Sequence, residues 1–218
     1  MSRQSLVDRL ISSESGVNAT FLHSTLRFGL EDESRILEAQ AILAEVPIYI
    51  NDSAGTTVAG IRSRVRRLKA CSGVDLVVID YLQLMQGESK SRGQENRVQE
   101  VSYITRSLKL MAKELDIPVI ALSQLSRATD KREKNKRPIL SDLRDSGSIE
   151  QDADVVMFIY RADAYYKTLE QWHEEFPGVD YPENIAEIAI AKHRSGRTDT
   201  INLYFRKEVM RFEGGVGV

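Results

Sequence analysis

The sequence predicts an α/β fold: a mostly parallel sheet flanked by helices, with an antiparallel hairpin at its carboxyl-terminal edge. Three observations carry this expectation. Short apolar runs rich in β-branched residues, at 76–79, 117–122 and 155–160, alternate with stretches of helical periodicity. Two segments of alternating polarity, 185–191 and 200–205, flank Ser195-Gly196, a hairpin pattern. The 218 residues are 42% hydrophobic and 28% charged, which suits one globular domain that buries its core without staples.

Each element follows from local chemistry. Ser2 is placed to cap a helix with the stripe Leu6, Leu10 and Ile11. A second helical stretch covers about 18–28. A third starts at Glu31-Asp32-Glu33, three acids in a first turn where the helix dipole favours them. Its apolar face is Ile36, Leu37, Ala41, Leu43 and Ala44. Pro47 ends it, and Ile48-Tyr49-Ile50 reads as a strand. Thr56 or Thr57 caps the next helix, with Val58, Ile61, Val65 and Leu68 on one face and Arg62, Arg64, Arg66, Arg67 and Lys69 on the other. Ser72-Gly73 closes it. Residues 76–79 and 117–122 read as strands buried on both faces. Between them lie a polar stretch, 86–96, and the clearest helix, with Val98, Val101, Ile104, Leu108, Met111 and Leu115 on one side. Residues 123–140 are polar and basic, 141–152 form a short helix broken at Gly147, and 155–160 form a strand. Residues 161–184 read as an irregular surface excursion, 209–212 as a last short strand and 214–218 as a mobile tail. One domain, 1–213, is expected.

Composition removes several function classes. The longest strongly apolar run is far shorter than the roughly 20 residues that span a bilayer, and no basic-apolar-small pattern opens the chain. Cys71 is the only cysteine, which excludes an internal disulfide framework and fits a reducing cytoplasm. Three scattered histidines and one cysteine offer no zinc spacing. The net charge of −2 is neutral on nucleic acid. Its distribution is more informative: between Arg127 and Arg137 six cations face two acids, a local net of +4 that suits a nucleic-acid backbone or, equally, a solvated loop. Tyr165, Tyr166 and Trp172 read either as a stacking platform or as packing within the excursion.

Ligands of open α/β sheets gather at the carboxyl ends of strands. The residues just past each apolar run are Asp80, then Ser123 and Gln124, then Arg161, then Lys192, His193 and Arg194. A carboxylate, an amide and cations in that order serve a magnesium-bound phosphate. The carboxylate holds the metal through its water shell, the amide meets the terminal phosphate, and the cations neutralise charge that grows during transfer. Taken singly, Asp80 is also an ordinary strand-end acid, Gln124 a strand cap, and Lys192 and Arg194 solvated hairpin charges. No Gly-x-x-x-x-Gly-Lys-Ser/Thr occurs in the 218 residues, so these residues offer no such phosphate cradle.

At Val77-Val78-Ile79-Asp80-Tyr81-Leu82-Gln83-Leu84-Met85 the sequence resembles the Walker B segment of DnaB-type replicative helicases. The likeness continues through Ala121-Leu122-Ser123-Gln124-Leu125-Ser126-Arg127 and is strongest from Ser141-Asp142-Leu143-Arg144-Asp145-Ser146-Gly147 to Ser148-Ile149-Glu150-Gln151-Asp152-Ala153-Asp154. It ends at Ala191-Lys192-His193-Arg194-Ser195-Gly196 and covers the chain from Ser2 to about Phe212. The resemblance implies a RecA-like motor, a cytoplasmic homo-hexamer that uses ATP and Mg2+ to move on single-stranded DNA and unwind duplex at the fork, with primase and a helicase loader as partners. At matching positions Asp80 would hold Mg2+ and Gln124 would sense the γ-phosphate. Lys192 and Arg194 would reach the neighbouring subunit's nucleotide, Arg194 as the arginine finger. Arg144, Asp145 and Gly147 would lie on a channel loop that touches the DNA backbone, and 86–96 resembles the other channel loop.

Three departures qualify this. Met1 falls on the methionine of the family's Ser-Leu-Glu-Met stretch, so the glutamate expected as general base would precede it. The P-loop strand, P-loop and its helix, the linker helix and the collar domain would also lie upstream. Arg197-Thr198-Asp199 stands where the family has Pro-Thr-Gly. Because the P-loop strand is central in RecA-like sheets, its absence is expected to separate the 155–160 edge from the 119–122 edge or leave an apolar groove between them. The chain by itself is then expected to be poorly stable, aggregation-prone or dependent on a complementing N-terminal piece, and to hydrolyse no ATP. The alternative is a split or degenerate paralogue that binds helicase rings or DNA without hydrolysis. A RecA-type recombinase or accessory factor is a third reading, disfavoured by the 142–154 match.

Overall fold

The computed structural model describes residues 2–22, 29–87, 94–126, 129, 132 and 135–214; of 94–97 and 144–147 it describes the backbone alone. The chain forms two compact units. One comprises Met1–Asp52, Arg161–Glu187 and Ile201–Val218, the other Ser53–Tyr160 and Ile188–Thr200. No described helix is long and apolar enough to cross a membrane.

The first unit opens with α1 (Arg3–Ser15). The Ser2 hydroxyl accepts from the Ser5 N–H at 3.2 Å, and Gly16, at φ 69°, ends the helix in the left-handed conformation that glycine adopts without strain. Of the expected 18–28 helix, α2 (Ala19–Leu22) is present and 23–28 lie outside the described residues. α3 (Leu30–Glu45) begins at the predicted acids and packs against α1. Its buried residue is Ala39; of the predicted stripe Ile36 and Leu43 are half-buried, while Leu37, Ala41 and Ala44 are exposed. Ala39 lies three and four positions from Ile36 and Leu43, on their face, and about half a turn round from Leu37 and Ala41, so only part of the predicted stripe points inward. Residues 48–50 do not form the expected strand. The Ile48 N–H turns back onto the Val46 carbonyl at 2.8 Å across Pro47, and no described strand pairs with them.

The second unit opens with α4 (Val58–Ser72), capped by the Thr57 hydroxyl, which accepts from the Gly60 N–H at 3.2 Å. β1 (Val77–Ile79), a 3-10 turn (Leu82–Leu84), α5 (Gln94–Leu115) and β2 (Val119–Ala121) follow. Arg62 and Arg66 of α4 pair with Glu114, and Lys69 donates to the Leu115 carbonyl, so much of that cationic face ties α4 to the end of α5. Val101, Ile104, Leu108, Met111 and Leu115 form the inward stripe of α5, packed against Ile79, Leu82, Met85, Leu143, Ile149, Val156 and Phe158, whereas Val98, expected with them, is exposed. Each such side chain, fully buried, contributes about 1.5–3 kcal/mol. A second 3-10 turn (Leu140–Ser146) leads into α6 (Gly147–Asp152) and β3 (Val155–Tyr160).

The strands are covered on one face, not both. Val156, Phe158 and Tyr160 are buried, whereas Val155, Met157 and Ile159 are exposed, as are Val78 at 58%, Ile120 and Leu122. β1 and β2 form a two-stranded parallel sheet. β3 begins a second sheet in the order β3-β4-β5-β6, where β4 is Ile185–His193, β5 Asp199–Arg206 and β6 Arg211–Glu213. The 119–121 and 155–160 strands therefore stand in different sheets, as expected for a RecA-like sheet without its P-loop strand. Each keeps an edge unpaired among the described residues, a template for strand addition. The boundaries between the units fall inside β4 and β5.

The excursion after β3 is ordered rather than irregular. It contains α7 (Ala162–Tyr165) and α8 (Leu169–Glu175), the latter capped by Thr168. Trp172 is buried against Tyr166, edge-on at 5.3 Å, and Phe176 at 4.3 Å, and its indole N–H donates to the Val179 carbonyl at 2.9 Å. Tyr166 and Trp172 are therefore packing residues.

Asp163 is the charged anchor of this unit. Its side chain, 2% exposed, accepts from Arg161 at 3.1 and 3.0 Å and pairs with Lys207 at 2.6 Å. Arg161, one of the strand-end cations noted from sequence, lies 4.3 Å over the Phe205 ring and is committed here. Burial pushes the Asp163 carboxyl up, but Arg161 and Lys207 outweigh it and hold it below the usual carboxylate range. A depressed carboxyl stabilises above its unfolded value of about 3.9 and ceases to do so as pH falls through the lower folded value. Asp163→Asn should lower unfolding free energy by about 1–3 kcal/mol at neutral pH. Urea denaturation followed by fluorescence of Trp172, the single tryptophan, measures it. The difference from wild type should narrow as pH drops below about 3.9; a gap independent of pH contradicts the assignment.

Candidate active site

β1 and β2 pair Val77 with Val119, Val78 with Ile120 and Ile79 with Ala121. Parallel strands in this register end side by side, so Asp80 and the Leu122-Ser123-Gln124 segment leave the sheet together. Main-chain bonds carry the pairing beyond the strands: the Leu122 N–H donates to the Ile79 carbonyl and the Leu82 N–H to the Leu122 carbonyl, both at 2.9 Å. Gln83 then clamps the two ends. Its amide nitrogen donates to the Ser123 hydroxyl at 3.0 Å and the Gln124 carbonyl at 3.2 Å, and its amide oxygen accepts from the Gln124 N–H at 3.3 Å. Asp80 and Gln124 are exposed on this edge.

Lys192 and Arg194 lie elsewhere in the same unit, at the carboxyl end of β4 beside the start of β3. The Arg194 N–H donates to the Asp154 carbonyl at 2.8 Å. The Lys192 ammonium donates to the Ala153 carbonyl at 2.9 Å and to the Glu150 carbonyl, at the end of α6 where free carbonyls favour a cation. The Arg194 guanidinium is 73% exposed and lies 3.5 Å from one Asp154 carboxylate oxygen. Lys109 binds the other oxygen; its hydrogen bond is the main cause, with Arg194 adding, that holds the Asp154 carboxyl below the usual range. One turn earlier on α5, the Thr105 hydroxyl donates to Asp152 at 2.6 Å. The four residues singled out from sequence thus form two pairs on two sheets, and α5 packs against both β2 and α6.

Arg144 and Asp145 lie in the second 3-10 turn and Gly147 opens α6; their side chains are outside the described part of the structure. The turn is fixed from before by buried Asp142, which accepts from the Ile139 N–H at 2.8 Å and pairs with Arg132. Arg137 lies 5.0 Å over the Tyr160 ring. Two cations of the basic 127–137 run are thereby engaged within the chain, while Arg127, Lys131 and Lys134 lie outside the described residues, as do 88–93 of the other predicted channel loop.

Among the described residues no three His, Cys, Asp or Glu side chains gather as a metal site. Asp80 is a single carboxylate on an open strand end, which suits Mg2+ that keeps most of its waters and takes phosphate oxygens, and does not suit a protein cage. Sequence reasoning missed Gln83, Lys109 and Asp154. Gln83 sits inside the quoted motif but reads as an ordinary polar residue, and Lys109 meets Asp154 across 45 positions of sequence.

Residues 1–214 match the family model of the DnaB-like helicase C-terminal domain. The chain is 48% identical over 212 residues to the replicative DNA helicase DnaB of Geobacillus stearothermophilus and 46% identical over 212 residues to the replicative DNA helicase DnaC of Bacillus subtilis. These alignments cover 97% of this chain and 43% of each relative, so the chain spans less than half of their length. Among solved structures it resembles a DnaB-like replicative helicase described with its interactions with primase (TM-score 0.87, 40% identity, 98% of this chain and 49% of that one). It also resembles a solved ATPase domain, with the same score and identity, covering 98% of this chain and 71% of that one.

The Gln83 clamp gives a local test. Gln83→Ala should speed hydrogen exchange at the Gln124 amide by about 2- to 10-fold, the loss of roughly one hydrogen bond's net stability. The Leu122 amide, bonded to Ile79, should keep its protection. Equal loss at both amides, or none at Gln124, contradicts the clamp.

Proposed function

Because the chain belongs to the family of DnaB-like helicase C-terminal domains, we propose that it is part of the motor of a replicative DNA helicase. The motor works as a cytoplasmic homo-hexamer, hydrolyses ATP with Mg2+, moves on single-stranded DNA and opens duplex at the fork. The observation that supports this reading is the parallel register of β1 and β2, by which Asp80 and the Leu122-Ser123-Gln124 segment leave the sheet at the same end.

In this reading ATP·Mg2+ supplies the phosphoryl group and its charge. Asp80 holds the metal through water, and Gln124 meets the terminal phosphate. Gln83 keeps the two in register. Arg194, exposed and on a short tether from Asp154, reaches the nucleotide of the neighbouring subunit and neutralises the charge that grows on transfer. The Lys192 ammonium, held on the carbonyls of Glu150 and Ala153, contributes its charge from an anchored position and fixes the base of the finger. Arg144, Asp145 and Gly147 touch the DNA backbone from the channel wall. Residues 1–213 act as one partial motor domain, and primase and a loader are its partners at the fork.

The 218 residues contain no Gly-x-x-x-x-Gly-Lys-Ser/Thr, so the β- and γ-phosphates need a P-loop segment from elsewhere. Residues 1–218 alone are therefore inactive in this account. A split or degenerate ring-binding paralogue shares the same motif absence and differs in the outcome of one experiment. Residues 1–218 replace the matching region of the Geobacillus stearothermophilus helicase, and ATP turnover of the resulting ring is measured. The chimera should turn over ATP, and Arg194→Ala should lower its kcat at least about 100-fold. In mixed rings the loss should exceed the variant's share, because each finger serves a neighbour. The isolated chain should show no turnover above background. Normal turnover by Arg194→Ala rings reduces Arg194 to a surface cation. A chimera that assembles without hydrolysing ATP supports the paralogue instead.

A further inference from the structure

The guanidinium assigned as the finger already has a partner within its own chain. Asp154 offers one carboxylate oxygen to Arg194 at 3.5 Å and the other to Lys109, and its carbonyl accepts the Arg194 N–H at 2.8 Å. We propose that Asp154 is a positioning residue for Arg194: it retains the guanidinium away from the neighbouring nucleotide until DNA bound at the start of α6 shifts the 147–154 segment and releases it. This rests on the finger reading of Arg194 given above.

Three features favour a releasable restraint over a fixed structural pair. First, the contact with Asp154 uses the Nη1 end of the guanidinium, so carboxylate and phosphate compete for the direction in which that end points. Second, the pair is open: the Arg194 side chain is 73% exposed and the Asp154 side chain 53%. Exposed pairs at this distance are weak, so the restraint biases the guanidinium only modestly and a small shift of the segment is enough to release it. Third, the restraint sits on the segment expected to feel DNA. α6 begins at Gly147, its end offers the Glu150 and Ala153 carbonyls to Lys192, and Asp154 follows directly after Ala153. Thr105 and Lys109, one turn apart on α5, hold Asp152 and Asp154 from the other side. Any displacement of α6 against α5 changes the contacts of both cations of β4 together.

The test uses the full chimeric ring described above and compares ATP turnover without and with single-stranded DNA. Arg194→Ala is the first arm: unchanged DNA-stimulated turnover there defeats the finger reading itself, and this proposal with it. Given a dependent Arg194, Asp154→Asn should raise kcat without DNA by about 2- to 5-fold, the scale of releasing an exposed pair. KM for ATP should stay the same, and DNA stimulation should shrink by the same factor. Asp154→Glu should restore the wild-type ratio. Lys109→Met, which leaves the carboxylate to Arg194, should lower turnover without DNA, a change opposite in sign to that of Asp154→Asn. The double variant Asp154→Asn, Arg194→Ala should behave as Arg194→Ala alone. An unchanged stimulation ratio in Asp154→Asn, or an equal loss of turnover with and without DNA, overturns the proposal. Should Asp154→Asn rings not assemble, the direction of the Lys109→Met effect decides it.

Discussion

Three residue pairs between β1 and β2 determine where the residues proposed to meet the nucleotide stand. A parallel pairing aligns strand ends, and a slip of one residue would turn every side chain to the opposite face. The register is held from within by Ile79, whose side chain is buried under α5, and from beyond by the bonds that Leu82 and Leu122 make past the strand ends. Asp80 and Gln124 need no special contact with each other. Asp80 leaves β1 opposite Leu122, two residues before Gln124, so both belong to segments that run off the same pair of strand ends. Gln83, by bonding Ser123 and Gln124, ties the segment that follows Asp80 to the segment that follows β2.

The second pair of residues proposed for the site depends on a different device. Lys192 and Arg194 end β4, and their surroundings are the carbonyls and carboxylate of the 150–154 segment. Lys192 closes the end of a short helix, which is a structural task. Arg194 is left exposed, its guanidinium loosely paired with Asp154, a state suited to a group that changes partners. The two cations are separated by a single residue in sequence and differ in how tightly their heads are held. α5 is the element common to both halves of the site: it covers β2 on one side and holds Asp152 and Asp154 on the other.

Much of this was legible in sequence where the signal is local. The caps at Ser2 and Thr57, the inward stripe of α5 and the polar residues that follow 76–79 and 119–122 all depend on neighbours along the chain. Residues 48–50 show the limit of that reasoning: they are as apolar and β-branched as β1, but a strand is a property of a pair, and a turn at Pro47 claims the Ile48 N–H. The expected burial of both strand faces failed for a related reason. Burial belongs to what lies opposite, and Val78, Ile120 and Met157 have exposed side chains. In the excursion, Tyr166, Trp172 and Phe176 gather into an aromatic cluster that no periodicity announced. The Lys109–Asp154–Arg194 chain joins three distant segments and carries no motif that spacing alone identifies.

β2 and β3 each keep an unpaired edge among the described residues of the same unit, with Ile120, Leu122, Val155, Met157 and Ile159 exposed nearby. Such edges recruit strands, and their presence fits a chain whose motor is completed by further polypeptide. The most direct test of the account is a cryo-EM map of the chimeric ring with a non-hydrolysable ATP analogue, Mg2+ and single-stranded DNA. The account predicts nucleotide at the carboxyl ends of β1 and β2, with Asp80 on the metal's water shell, Gln124 facing the terminal phosphate and Arg194 arriving from the adjacent subunit. Nucleotide bound elsewhere, with Asp80 and Gln124 facing only solvent, would contradict it.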